Sequence, residues 1–128
     1  MSYYFNKVLS GNFDEALARV TEALKKEGFG ILSEIDIQVK MKEKLGIDFR
    51  RYVILGACSP PNAYRALLAE ENIGLMLPCN VIVYEKDGRS VVSVIKPTVA
   101  MQMIQNEELG KIAREVEDLL KRAFDSMK

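Results

Sequence analysis

The chain has no histidine and no tryptophan, only two cysteines and four prolines, and no excess of charge of either sign. Each shortage excludes something. Without histidine there is no Ser-His-Asp triad, no Cys-His pair, no two-histidine facial triad and no histidine-ligated zinc or haem. Two cysteines are too few for a disulfide scaffold, and in a reducing compartment they start as thiols. Lys plus Arg number 18, as do Asp plus Glu, so no net field draws in a polyanion, and nucleic acid is not an expected partner. Apolar runs reach about five residues, against the ~20 of a membrane-spanning helix, so no membrane partner is expected. The stretch Met1 to Asn12 lacks the basic start, apolar run and small-residue site of a signal peptide, which makes a cytoplasmic location the default.

What is present is enough for one packed domain over residues 1–128. Hydrophobic residues make up 48% and charged residues 28%, the balance of a folded chain. A chain of this length buries roughly two-thirds of the surface its unfolded form exposes and needs no staple.

Tyr3 to Leu9 reads as a first strand, broken by Ser10-Gly11-Asn12. Asn12 and Glu15 form a capping box for a helix over 13–27, whose apolar face holds Phe13, Ala16, Leu17, Val20 and Leu24 and which Gly28 stops. Residues 31–37 alternate as a second strand, and 39–45 read as a short helix ended by Gly46. Residues 51–58 form a β-branched and aromatic run that predicts a central strand buried on both faces. Ser59-Pro60-Pro61 opens a helix to about Glu70. Strands at 81–85 and 90–96 flank a Lys86-Asp87-Gly88-Arg89 hairpin turn. Residues 98–104 leave room for one helical turn. Asn106 then caps a long helix striped by Leu109, Ile112, Ala113, Val116, Leu119, Leu120, Ala123 and Phe124. The order β-α-β-(α)-β-α-β-β-(α)-α, with an Asp-Gly hairpin, predicts an α+β fold with a mainly antiparallel sheet of about five strands against the C-terminal helix.

Few motifs carry chemistry. Gly28-Phe29-Gly30 begins a G-x-G, but Ser33 stands where the third glycine belongs and the segment runs from helix to strand, the reverse of a dinucleotide fingerprint. Lys40, Lys42, Lys44, Arg50 and Arg51 are interleaved with Glu34, Asp36, Glu43 and Asp48, which reads as a solvated mixed-charge face rather than an anion site. The informative stretches are those around the thiols. Cys58 ends a strand just before a helix cap, where the positive end of the helix dipole favours a thiolate and a lowered pKa. Cys79 starts the next strand. If the two strands are antiparallel neighbours, both thiols reach the same end of the sheet; parallel neighbours would hold them about 20 Å apart at ~3.3 Å per residue. The bland alternative is that each is a small buried hydrophobe.

The run Tyr52 to Leu67, with its Gly56-Ala57-Cys58-Ser59-Pro60-Pro61-Asn62 core, is followed by Ile73 to Glu85, with Leu77-Pro78-Cys79-Asn80. Together with Asp36-Ile37, Lys44 to Phe49 and Ile95-Lys96-Pro97, they closely resemble the domain of unknown function 302 family. The resemblance spans nearly the whole chain. It implies a fold of the TATA-box-binding-protein-like class, a curved antiparallel sheet gripping the long C-terminal helix, and a homodimer. It implies no activity, and likeness of fold to a DNA-binding protein does not carry function across. Because the family motif holds both cysteines, Cys58, Asn62, Pro78 and Cys79 are expected to line one site.

Three functions follow as alternatives. The first is a small-molecule or cofactor-binding module whose mouth carries Cys58, Asn62, Tyr64, Cys79 and Asn80 beside Pro78. A thiol redox or soft-metal protein is the second, with Cys58, Cys79 and Met76 as the ligand set. The third is a non-enzymatic dimeric interaction protein with an exposed apolar strip. No catalytic residue and no particular cofactor can be assigned from these residues.

Overall fold

The computed structural model describes residues 2–128. Its elements in chain order are β1 (Tyr4–Leu9), α1 (Phe13–Lys26), β2 (Gly30–Asp36), α2 (Ile37–Leu45), β3 (Tyr52–Cys58) and α3 (Pro60–Ala69). A 3-10 turn (Glu71–Met76), β4 (Cys79–Lys86), β5 (Arg89–Ile95), α4 (Pro97–Ala100) and α5 (Glu107–Ser126) complete the fold. The described strands form one sheet in the order β1-β5-β4-β3-β2, every pair antiparallel. The α+β class, the antiparallel pairing and the long last helix are as the sequence predicts.

Local chemistry explains the main elements. Asn12 accepts a hydrogen bond from the Glu15 backbone N–H, and the Glu15 carboxylate accepts one from the Asn12 backbone N–H, so two otherwise orphaned donors at the start of α1 are satisfied. The helix ends where Gly28 takes φ +86°, a conformation that a side chain would resist. Asn106 caps α5 with a single side-chain bond, its Oδ1 accepting from the Leu109 N–H.

Phe13, Ala16, Val20, Ala23 and Leu24 of α1 and Leu109, Ile112, Ala113, Val116, Leu120, Ala123 and Phe124 of α5 are buried. The two helices pack on one another and on the sheet face formed by Val53, Leu55, Val81, Val83, Val92 and Val94. Burying one such aliphatic side chain stabilises by about 1.5–3 kcal/mol before chain entropy is counted, so this helix-sheet layer holds the fold.

Three details differ from the sequence reading. α2 starts at Ile37 rather than Val39, because Asp36 turns from the strand and accepts a hydrogen bond from the Val39 N–H. Residues 71–76 form a 3-10 turn where the sequence suggests only a connection. β3 is not buried on both faces: Val53, Leu55 and Ala57 are buried beneath the helices, whereas Tyr52 and Ile54 are half-buried on the opposite face, which neither α1 nor α5 covers. The ambiguous stretch near residue 98 does hold one helical turn, α4.

Candidate functional site

The β3-β4 ladder decides where the thiols go. Ala57 stands opposite Cys79, one residue from Cys58, so antiparallel pairing brings both cysteines to the same end of the sheet. Cys58, Asn62, Pro78 and Cys79 line one small hollow, closed by Ala57 and by Val116 of α5. Its volume is about 30 Å³, the space of roughly one water molecule. Both cysteines are free thiols.

The electrostatics of the pair reverse the expectation of a reactive thiolate. Burial pushes the Cys58 thiol up, not down. Cys79 is pushed up to about 11, chiefly by burial and secondarily by neighbouring Cys58. Removing a thiolate from water outweighs whatever the start of α3 offers. Ser59, the cap residue of that helix, accepts no capping hydrogen bond from it; its Oγ instead takes one from Asn62 Nδ2 at 3.0 Å. Asn62 Oδ1 in turn accepts from Arg65 Nη1 at 3.2 Å. Arg65 continues to Glu115 at 2.6 Å and Glu108 at 3.7 Å, which fastens α3 to α5 over the hollow.

The other predicted site residues go elsewhere. Tyr64 is 64% exposed and does not line the hollow. Met76 packs against the core outside it. Asn80 turns to the opposite side of the sheet, since successive strand residues face opposite ways. Among the described residues no cluster of three or more His, Cys, Asp or Glu could hold a metal ion.

That opposite side carries a larger site which the sequence reading misses. Across it run two registered rows of side chains. One places Val8 opposite Val91, Val91 opposite Tyr84 and Tyr84 opposite Tyr52; the next places Asn6, Ser93, Ile82 and Ile54 in line. Val91, between Val8 and Tyr84, and Ser93, between Asn6 and Ile82, are buried low in the sheet, and a shallow trough of about 530 Å³ lies over this face with Ser93 in its lining. Tyr52 and Tyr84 stack with centroids 5.4 Å apart and planes 15° apart, and Phe49 leans on Tyr52 at 6.4 Å. Tyr3 and Tyr4 form an edge-to-face pair at 4.9 Å and also line the trough. Asn6 Nδ2 donates to Ser93 Oγ at 2.5 Å in the floor. Burial first, then the nearby phenols of Tyr84 and Tyr3, push the Tyr52 hydroxyl up, and Arg50 partly opposes them. The Tyr52 phenol therefore stays a protonated donor at neutral pH.

The sequence carries little signal for this face: Tyr52 and Ile54, like Ile82 and Tyr84, alternate with valines and a leucine that are equally apolar, and only the packing separates the half-buried set from the buried one. The basic cluster also resolves. Lys40 pairs with Glu43, Lys42 with Asp48 and Arg51 with Asp14, as a mixed-charge surface would, while Arg50 alone of the five lines the trough.

No helix among the described residues is long and apolar enough to cross a membrane. No curated protein matches the chain. Among solved structures it is similar to the crystal structure of the uncharacterized conserved protein DUF302 from Bacillus stearothermophilus, with 32% identity over all of both chains and a TM-score of 0.92. Residues 5–127 match the Domain of unknown function DUF302, and with that coverage the chain belongs to this family.

Proposed function

We propose that the protein is a small-molecule-binding module whose ligand lies on the uncovered face of the sheet. The observation that carries this reading is the trough itself. Its volume of about 530 Å³ falls within the ~300–1,000 Å³ usual for ligand sites, whereas the cysteine hollow takes only a water-sized occupant. Aromatic walls with a polar floor suit a ligand held by apolar contact and oriented by a few hydrogen bonds. Asn80, expected from the sequence at a binding site, lines this trough. The raised thiol pKa values argue against redox work at Cys58 and Cys79.

Tyrosine emission tests the proposal directly. The chain has five tyrosines and no tryptophan, and Tyr3, Tyr4, Tyr52 and Tyr84 line the trough. A metabolite panel is expected to yield a compound that quenches this emission and raises the melting temperature. Ser93→Phe, which fills the floor, and Asn80→Phe, made at an exposed position, are expected to abolish both effects while keeping the far-ultraviolet dichroism. Responses unchanged in the folded variants would overturn the reading.

A second reading has its own observation. Tyr3, Tyr4, Val8 and Ile35 are exposed on or beside the same face, an apolar surface that a second copy could cover with about 800 Å² per partner. A concentration-independent dimer in sedimentation, broken by Val8→Asp with Ile35→Asp, would support it. A monomer at high concentration would remove it.

A further inference from the structure

Resting on the reading of the trough as a ligand site, the geometry points to a specific ligand class: a flat ring joined to a single anionic group, such as a carboxylate, sulfonate or phosphate. The charged residues lining the trough are Arg50 and Lys86, and no carboxylate lines it, in a chain that carries 18 cations and 18 anions. Neither cation makes an ion pair among the described residues, although Arg51, Lys40 and Lys42 nearby all do.

The ladder places the two cations at one end. Tyr52 is registered with Tyr84. Arg50 lies two residues before Tyr52 and Lys86 two residues after Tyr84, so antiparallel running sets both beyond the stacked tyrosines on the same edge. A hydrogen bond from the Glu85 N–H to the Arg51 carbonyl at 2.9 Å holds the two chains together there. Arg50 is further placed over the Phe49 ring at 5.6 Å. The site is therefore polarised: aromatic and uncharged along its length, cationic at one edge. A ring set against the Tyr52-Tyr84 stack would direct a short anionic substituent toward that edge, where a planar guanidinium and an ammonium could both reach it. Two cations in a molecule of zero net charge suit one anionic group rather than the repeating charge of a nucleic acid strand.

A matched pair of probes separates ring from charge. Anilinonaphthalene sulfonate and N-phenylnaphthylamine share a ring system, and only the first is an anion. Each is titrated into the full chain, with energy transfer from tyrosine as the readout. The sulfonate is expected to bind about tenfold tighter than the neutral amine, as one charge-assisted contact allows. That preference should shrink with added salt. In the Arg50→Gln/Lys86→Gln variant, whose changes are both at exposed positions, it should fall to within about twofold while binding of the amine is unchanged. A sulfonate preference absent from the natural chain, or surviving in the double variant, overturns the ligand class; if the amine still loses binding in Asn80→Phe, the trough itself stands. Failure of both probes to bind the natural chain, or equal binding to Asn80→Phe, overturns the trough reading and this inference with it.

Discussion

Gly56 and Pro78 meet too closely to admit a side chain between them: a Cβ on Gly56 would stand 2.7 Å from Pro78 Cγ and would also overlap the Ser33 hydroxyl. The proline ring cannot swing aside as a flexible chain end would. Gly56→Ala is therefore expected to destabilise by about 1–3 kcal/mol, the usual cost of overpacking. Adding Ser33→Ala removes one of the two overlaps and should recover only part of the loss. Urea titrations of the single and double variants measure both effects, and a neutral Gly56→Ala would mean that the β3-β4 register differs at this point.

Cys79 makes stability fall at alkaline pH. Its thiol is pushed from an ordinary value of 9.0 up to about 11 by burial and by Cys58, so the folded chain holds this proton where the unfolded chain has lost it. Stability from this group is complete below pH 9 and is lost as pH rises through about 11. The full loss is about 2–3 kcal/mol at 1.36 kcal/mol per pH unit. Cys58 and Tyr52, also pushed up by burial, add losses of the same sign. Cys79→Ala should therefore lose less stability than the natural chain between pH 8 and pH 11, as denaturant midpoints at ~0.5-unit steps would record.

How far the sequence discloses this molecule depends on whether a feature is local. The Asn12-Glu15 capping box, the α5 stripe and the Asp87-Gly88 hairpin each need only a few neighbouring residues, and each forms as predicted. Alternation already implied that Asn80 and Cys79 face opposite ways. Whether a helix covers a strand face is not local, so the apolar run of β3 predicts burial on both faces although one is only half-buried. The same limit explains Cys58: proximity to a helix start is visible in the sequence, but the desolvation that dominates comes from the packing of α3 and α5 over the hollow.

Arg65 ties α3, which lines that hollow, to α5. It bridges Asn62 on its own helix to Glu115 and Glu108 of α5 across the layer that closes over Cys58. These ion pairs are exposed and salt-screened, so Arg65→Ala should change the melting temperature little. Local opening of α3 is a different quantity, governed by the contacts that tie it down. Alkylation by iodoacetamide, followed by mass spectrometry, should modify Cys58 before the buried Cys79, and Arg65→Ala should speed the Cys58 reaction several-fold. Equal rates in the two proteins would show that the bridge does not restrain the helix.

Asn106 joins two helices with one side chain. Its Oδ1 accepts from the Leu109 N–H at the start of α5, and its Nδ2 donates at 2.8 Å to the carbonyl of Ala69 at the end of α3. Asn106→Ala would orphan both a helix-start donor and a helix-end acceptor, and the loss should be about 1–2 kcal/mol. Asp at this position keeps the acceptor for Leu109 and gains from the helix dipole, but it cannot donate to Ala69 and sets a negative charge against that carbonyl. Asn106→Asp should therefore fall between the natural chain and Asn106→Ala in urea midpoint. Its hydrogen exchange should remain protected in the first turn of α5 and become faster at the end of α3. A stability equal to that of the natural chain would show that the link to α3 contributes nothing.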